Sequence, residues 1–438
     1  MKVILLGPIL ACALGVGGAQ VFGSPANAQD VRFSQLTRTA EARGSFSPKL
    51  RRPFRVIFGS YDDPVGLNPF HFGTLFSLGA DGMPPEQLVV PTSACFAGEF
   101  GVDDSGTTVA FVSSCDLTGG NTDGNIEIFL RSSVGRIRQL TFSTRTANTD
   151  ETTNREPTIT GDGQKVAFAS DADLTGGNPD RNFEIFLWSE ESGLVQLTDS
   201  LGLIGNRTPS ISQDGERIAF RSGEDYAGTN PSRFPEIFLL QRGSGFTQLT
   251  RAILRPSGVT FIGVSRPFIS ADGTTVAFTA ISNLTGQNVD NNQEVFLWDR
   301  TSGLRQLTDS VLALNATTSI TADGSTVAFS SNADLVGENG DGNQEIFIQT
   351  RTGGAVQLTH SEGGTNQTPS FGASADEIVF TSDRDYDGQN AAGRPEIFLV
   401  RRLALVEVPT LNAVGLLLLA IGVAAVAVLL LRAGRVRE

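Results

Sequence analysis

The sequence predicts an all-β fold, and three observations predict it. A Val-Ala-Phe-like triplet recurs with its phenylalanine at Phe58, Phe111, Phe168, Phe220, Phe278, Phe329 and Phe380. A Glu-Ile-Phe-like triplet follows each copy, with phenylalanine at Phe76, Phe129, Phe186, Phe238, Phe296, Phe347 and Phe398. β-branched and aromatic residues dominate both triplets, while Gly, Asp and Asn dominate the stretches between them. That is the composition of short strands joined by tight turns. A repeat of about 50 residues marks one repetitive array. It replaces the roughly three domains that the length alone suggests.

Each repeat reads as four strands. Pro209-Ser210-Ile211-Ser212 is a first strand, and Asp214-Gly215 is a tight turn whose residues tolerate positive φ. The Val-Ala-Phe and Glu-Ile-Phe triplets are the second and third strands. Gln-Leu-Thr, beginning at Gln139, Gln196, Gln248, Gln306 and Gln357, is the fourth, with Glu86-Gln87-Leu88 as a worn copy. Ile185-Phe186-Leu187 is apolar at consecutive positions, so the third strand is buried on both faces. Four-stranded sheets arrayed radially bury both faces against their neighbours, which gives a seven-bladed β-propeller.

The last repeat predicts how the ring closes. Val379-Phe380 and Glu396-Ile397-Phe398 are present, but no Gln-Leu-Thr follows them. The missing strand lies at the other end, in Val31-Arg32-Phe33-Ser34-Gln35-Leu36-Thr37. This segment is expected to complete blade 7 by pairing with the C-terminal end of the repeats.

The run from Pro209 to Phe220, with segments such as Gln196-Leu197-Thr198, resembles the TolB-type (WD40-like) β-propeller repeat. The resemblance covers residues 31–405. It implies an exported propeller used as a binding platform in the periplasm or at the surface. TolB itself has an α/β domain ahead of its propeller, for which this sequence leaves no room.

Both ends read as processing or anchoring segments, which divides the chain into 1–28, 29–405 and 406–438. Lys2, the apolar run from Val3 to Val16 and the small-residue site Ala26-Asn27-Ala28 before Gln29 form an export signal. Cleavage is expected between Ala28 and Gln29. Val414 to Leu431 carries no charge and is followed by Arg432, Arg435 and Arg437. This is a transmembrane helix with a cytoplasmic basic tail. With Val408-Pro409-Thr410-Leu411 just before it, the segment resembles the PEP-CTERM group of sorting signals, in the variant bearing an Ile-Pro-Thr-Leu motif. Val408 stands where that variant has Ile. An ordinary single-pass anchor is the alternative.

Charge excludes one class of partner. The chain carries 33 basic and 47 acidic residues, a net charge of −14. Without Lys2, the three tail arginines and Glu438 the balance is 29 to 46, or −17. Nucleic acid requires a basic face, so none is expected as a partner.

Between the second and third strands lies a repeated loop rich in oxygen side chains. The copies are Asn121, Asp123, Asn125 and Glu127; Asn178, Asp180, Asn182 and Glu184; Asn288, Asp290, Asn292 and Glu294; and Asn339, Asp341, Asn343 and Glu345. Ca²⁺ takes six to eight such oxygens, and these sets are candidate ligands. Asx turn chemistry, in which the side chains bond their own backbone, is the competing and favoured explanation. No other cofactor is expected. Blades 4 and 7 lack the central Asp.

Cys95 and Cys115 are the two cysteines outside the leader. With Ser105-Gly106 as a hairpin centre, Cys115 faces position 96, so a disulfide is expected after export. No Gly-x-Ser-x-Gly, His-Glu-x-x-His or phosphate loop occurs. The densest acidic group is Asp383, Asp385 and Asp387. The expectation is a non-catalytic scaffold that binds a protein or polysaccharide of the cell envelope. A lyase or hydrolase acting in the channel, and a Ca²⁺-stabilised surface protein, are the alternatives.

Overall fold

The computed structural model describes residues 31–402 apart from 41–42, 53, 80–83, 92, 145–152, 203–204, 253–262, 312 and 373. The export signal, the Ala28–Gln29 cleavage site, the Val408–Leu411 motif and the apolar tail lie outside the described residues.

Seven four-stranded antiparallel sheets account for every strand among the described residues. Blade 3 is representative. Its strands run from the innermost, Asn154–Ile159, through Lys165–Ser170 and Glu184–Ser189 to the outermost, Gly193–Gln196. The expected Gln-Leu-Thr strand is corrected here, because only its Gln lies in the ladder. The Leu197 N–H still bonds the Ile185 carbonyl at 2.8 Å, but the Thr198 hydroxyl then accepts the Ile185 N–H at 2.8 Å. The side chain thus takes the partner that the next backbone carbonyl would have had. The first strand also begins earlier than expected, at Asn206 in blade 4, and Ser212 lies in the turn.

The two repeat phenylalanines are cross-strand partners in every blade, for example Phe168 with Phe186 and Phe329 with Phe347. Their rings stack 5.7 to 6.1 Å apart from Phe111–Phe129 to Phe220–Phe238, and they are buried. Each stack fills the centre of a sheet that is covered on both sides. Blade 2 residues Ala110, Val112 and Ile128 pack with blade 3 residues Val166, Phe168 and Phe186. Each such phenylalanine contributes about 3–5 kcal/mol against alanine.

Ring closure is as expected. Val31–Gln35 pairs antiparallel with Glu396–Arg402, in the register Val31 to Arg402, Phe33 to Val400 and Gln35 to Phe398. Phe33 stacks on Tyr386 at 4.4 Å. The joint between last and first blades is apolar, with Val379, Ile397 and Leu399 against Leu50, Val56 and Phe58.

The innermost strands carry a repeated irregularity. A β-bulge shifts the register between Phe46 and Lys49, Arg155 and Thr158, Arg207 and Ser210, and Gln367 and Ser370. Ser47, Glu156, Thr208 and Thr368 occupy the left-handed region at φ of 51 to 59°, each just before a proline. Left-handed backbone is uncommon for such residues, and bulges re-aim side chains.

Candidate functional site: the central channel

Residues from the first strands of all seven blades line a central cavity of about 560 Å³. One ring of positions can be compared across blades, because each lies opposite the Ala of the Val-Ala-Phe triplet or its counterpart. Five of the seven are small: Gly101, Thr158, Ser210, Ser319 and Ser370. The other two are Lys49 in blade 1 and Phe268 in blade 5. These blades lie nearly across the ring from each other. The Lys49 Nζ nevertheless comes to 5.9 Å from the Phe268 ring centroid. Gly101 is required by the close approach of blade 3, since a Cβ there would lie 3.0 Å from the Thr158 Cα.

The channel is cationic in an acidic protein. The charged residues lining it are Lys49, Arg51, Arg52, Arg266 and Asp104. Asp104 is engaged by the Gln213 side-chain amide. Arg51 donates from Nε to the Asp103 carbonyl at 3.1 Å and from Nη1 to the Leu50 carbonyl at 2.9 Å. The Arg266 guanidinium also lies 5.9 Å from the Phe268 ring. Burial pushes the Lys49 ammonium down to about 7, and the like charges of Arg266 and Arg51 add to the effect. Burial pushes Arg51 down as well, against the pull of Asp104 and Asp103.

A second basic group lies at the start of the inner strands. Arg207 stacks over Phe183 at 3.9 Å and faces Arg221 across the strand pair. Burial and then Arg207 push Arg221 down, with Glu156 opposing. Arg155 pairs with Glu99 at 3.6 Å.

The candidate calcium ligands are spread over different tasks. Asn121 donates from its side-chain amide to the Asn125 carbonyl at 2.9 Å, and its backbone N–H donates to Asp116 Oδ1 at 3.1 Å, so both bonds tie the loop to itself. Asn178, Asn288 and Asn339 repeat the side-chain bond to Asn182, Asn292 and Asn343 carbonyls at 2.9 to 3.0 Å. Asn125, Asn182, Asn292 and Asn343 reach forward to the carbonyls of Ser143, Ser200, Ser310 and Ser361. Asp123 accepts the Asn125 N–H at 3.5 Å, Asp180 accepts from the Asn182 amide at 3.0 Å, and Asp341 accepts the Gly363 N–H at 2.7 Å. Asp290 lies in the equivalent loop of blade 5. Among the described residues no three Asp, Glu, His or Cys side chains gather around a point that could hold a metal.

The repeated glutamates form a latch between blades. Glu184 accepts from the Thr198 hydroxyl, from the Ser200 N–H and hydroxyl at 2.6 and 2.5 Å, and from the Asn206 amide of blade 4 at 2.7 Å. Glu127 uses Thr141, Ser143 and Asn154 in the same way, and Glu294 uses Thr308, Ser310 and Asn315. Glu345 accepts from Ser361 and Asn366. Burial pushes Glu127, Glu184 and Glu236 up, while the hydrogen bonds pull them back. This accounts physically for both the Glu of Glu-Ile-Phe and the Thr of Gln-Leu-Thr.

Cys95 and Cys115 are joined, with S–S 1.98 Å and Cα–Cα 5.1 Å. The acidic group of blade 7 is dispersed over local bonds. Asp383 accepts the Thr365 N–H at 2.9 Å, Asp385 the Asn390 N–H at 3.0 Å, and Asp387 the Gln35 N–H at 3.0 Å. Sequence reasoning missed Lys49, Arg266 and Phe268. The signal for Lys49 and Phe268 was present as departures from a small-residue column, visible once the first strands are aligned by register rather than by motif.

A channel lined by inner strands, closed by an N-terminal outer strand, defines a seven-bladed β-propeller with its singular residues on the axis. No family model matches the sequence, and no curated protein matches it. Solved structures do. The chain is similar to TolB from Acinetobacter baumannii, at 20% identity and TM-score 0.43, over 75% of this chain and 66% of that one. It is similar to oligogalacturonate lyase from Vibrio parahaemolyticus, at 14% identity and TM-score 0.52, over 85% and 98%. It is also similar to the β-propeller domain of the Trilobed protease from Pyrococcus furiosus, at 10% identity and TM-score 0.51, over 82% and 95%. At these identities the likeness establishes the propeller fold alone, and that fold hosts unrelated functions.

Proposed function

We propose that this chain is an exported, envelope-attached or surface-sorted propeller that binds its ligand in the central channel and does not transform it. One observation carries the reading. The channel departs from sevenfold repetition at Lys49, Arg266 and Phe268, and the carboxylate in its lining, Asp104, is engaged by Gln213. Breaking a repeated pattern on the axis supports recognition. A hydrolase needs paired carboxylates or an activated nucleophile, and among the described residues none converges there. The leader and the apolar, Arg-ended tail support export and attachment. Val31 pairs with Arg402 beside the Asp376–Glu377 turn, so both chain ends leave blade 7 on its hairpin side.

The test passes a cell-envelope polysaccharide extract over the immobilised full chain. Wild type is expected to retain material that the triple variant K49S/R266T/F268S does not. Equal retention by the variant overturns the channel as the site. Shortened or unsaturated products in the flow-through overturn the non-catalytic reading. That second outcome is the alternative favoured by Lys49, whose depressed ammonium suits a general base.

A further inference from the structure

We propose that the channel is a receptor for a small sugar acid, with the carboxylate held between Lys49 and Arg266 and the ring hydroxyls facing the Ser/Thr ring. The proposal rests on the channel being the binding site and names the ligand class.

Lys49 and Arg266 converge from nearly opposite blades on one aromatic ring, each 5.9 Å from its centroid. Among the described residues neither side chain has a carboxylate or a hydrogen-bond partner. Bringing two like charges together costs free energy unless an anion separates them. Arg51, the next cation along, is already held by backbone carbonyls of blades 1 and 2. Arg52 is exposed in the turn that follows the strand, so the two cations that meet inside the ring without a carboxylate are Lys49 and Arg266. This pair sits in a chain of net charge −14, so the cations are concentrated where low-dielectric walls focus their field.

Thr158, Ser210, Ser319 and Ser370 line the cavity at the register of Lys49; the Ser210 hydroxyl already accepts the Ile269 N–H at 3.1 Å and keeps its proton to offer, and a hydroxyl both donates and accepts. A bare anion makes no use of such a ring, whereas a polyhydroxylated ligand does. Phe268 is the one large apolar surface at that level, and it offers a plate for the C–H face of a pyranose. A cavity of about 560 Å³ falls within the usual range for small-ligand sites, roughly 300–1,000 Å³.

The substitutions that would erase the site already exist in the ring. Serine occupies the Lys49 and Phe268 position in blades 4, 6 and 7, and threonine occupies the Arg266 position in blades 4 and 7. K49S, F268S and R266T are thus compatible with the fold.

The experiment is titration calorimetry on the full chain with galacturonate, digalacturonate, neutral galactobiose and inorganic phosphate. Uronates are expected to bind and galactobiose to bind at least tenfold more weakly. K49S and R266T are each expected to weaken uronate binding at least tenfold. F268S is expected to weaken uronate binding and leave phosphate unaffected. Phosphate binding as tight as uronate binding overturns the sugar-acid assignment in favour of an anion site without sugar recognition. Uronate binding unchanged in K49S and R266T overturns the geometry. If no uronate binds while the polysaccharide extract is still retained through the channel, the ligand class is wrong and the channel reading stands. If neither is retained, both fall.

Discussion

Replacing Glu184 by glutamine is expected to destabilise the propeller nearly as much as replacing it by alanine. The side chain is fully buried and all of its partners are donors: the Thr198 and Ser200 hydroxyls, the Ser200 N–H and the Asn206 amide. An ionised carboxylate satisfies them all. Glutamine puts an NH₂ group at one end of the same site. The hydroxyls can rotate to accept from it, but the Ser200 N–H and the Asn206 amide cannot. Relief requires both flipping the Asn206 amide and turning the Tyr226 hydroxyl, which donates to its Oδ1 at 3.0 Å, into an acceptor. Without that double rearrangement one N–H faces another, at about 1–3 kcal/mol for each unmet buried group. E184A leaves several groups unmet and should cost about 3–5 kcal/mol. E184Q should cost about 2–4 kcal/mol on the same reasoning. T198V, which also orphans the Ile185 N–H, should cost about 2 kcal/mol. The assay is urea unfolding followed by tryptophan fluorescence, since Trp188 lies in the same strand as Glu184. An E184Q variant within about 1 kcal/mol of wild type would refute the reasoning. It would mean that the carboxyl is already a donor and that the latch is wired differently.

Four further outcomes are expected. Lys49 has a folded-state value of about 7 against an ordinary 10.5. The unfolded chain therefore binds the extra proton between those values, and stability rises as pH increases from about 7 toward 10.5. K49S should flatten that rise and stabilise the protein at pH 7 by about 2 kcal/mol, allowing for solvent at the channel mouth; unchanged pH curves in urea unfolding would contradict this. Removing the disulfide with C95S/C115S should cost about 3 kcal/mol, read as a lower Tm that reductant no longer shifts. F33A removes the Tyr386 stack and weakens ring closure, so protection of the Glu396–Arg402 amides from hydrogen exchange should fall before that of blade 3. A chelator should leave Tm unchanged, because the loop glutamates are already occupied as hydrogen-bond acceptors; a drop would revive the calcium reading.

The channel shows where reading by motif falls short. The Asx loops repeat, and Asn121, Asn178, Asn288 and Asn339 bond the loops' own backbone through their amide N–H groups, while their Oδ1 atoms are buried without a hydrogen-bond partner among the described residues. Asp and Asn spaced by two serve turns and cations alike, and only hydrogen-bond geometry separates the two uses. The residues that distinguish this propeller are instead the non-repeating ones, Lys49, Arg266 and Phe268.

Strand type, blade number and closure were legible in the chain because each blade repeats one local solution. Composition and period report local solutions directly. The orphan strand at 31–37 was readable for the same reason, as the one strand lacking in the seventh repeat. The facing of Phe168 with Phe186, the latch from Glu184 to Asn206 and the meeting of Lys49 with Phe268 depended on the folded ring. Lys49 and Phe268 lie 219 positions apart in sequence. Which columns of a repeat point across the axis is decided by the bulges in the inner strands and by closure of the last blade. The prolines after Ser47, Glu156, Thr208 and Thr368 mark the bulges locally, but which columns then meet across the ring depends on packing between repeats far apart in sequence.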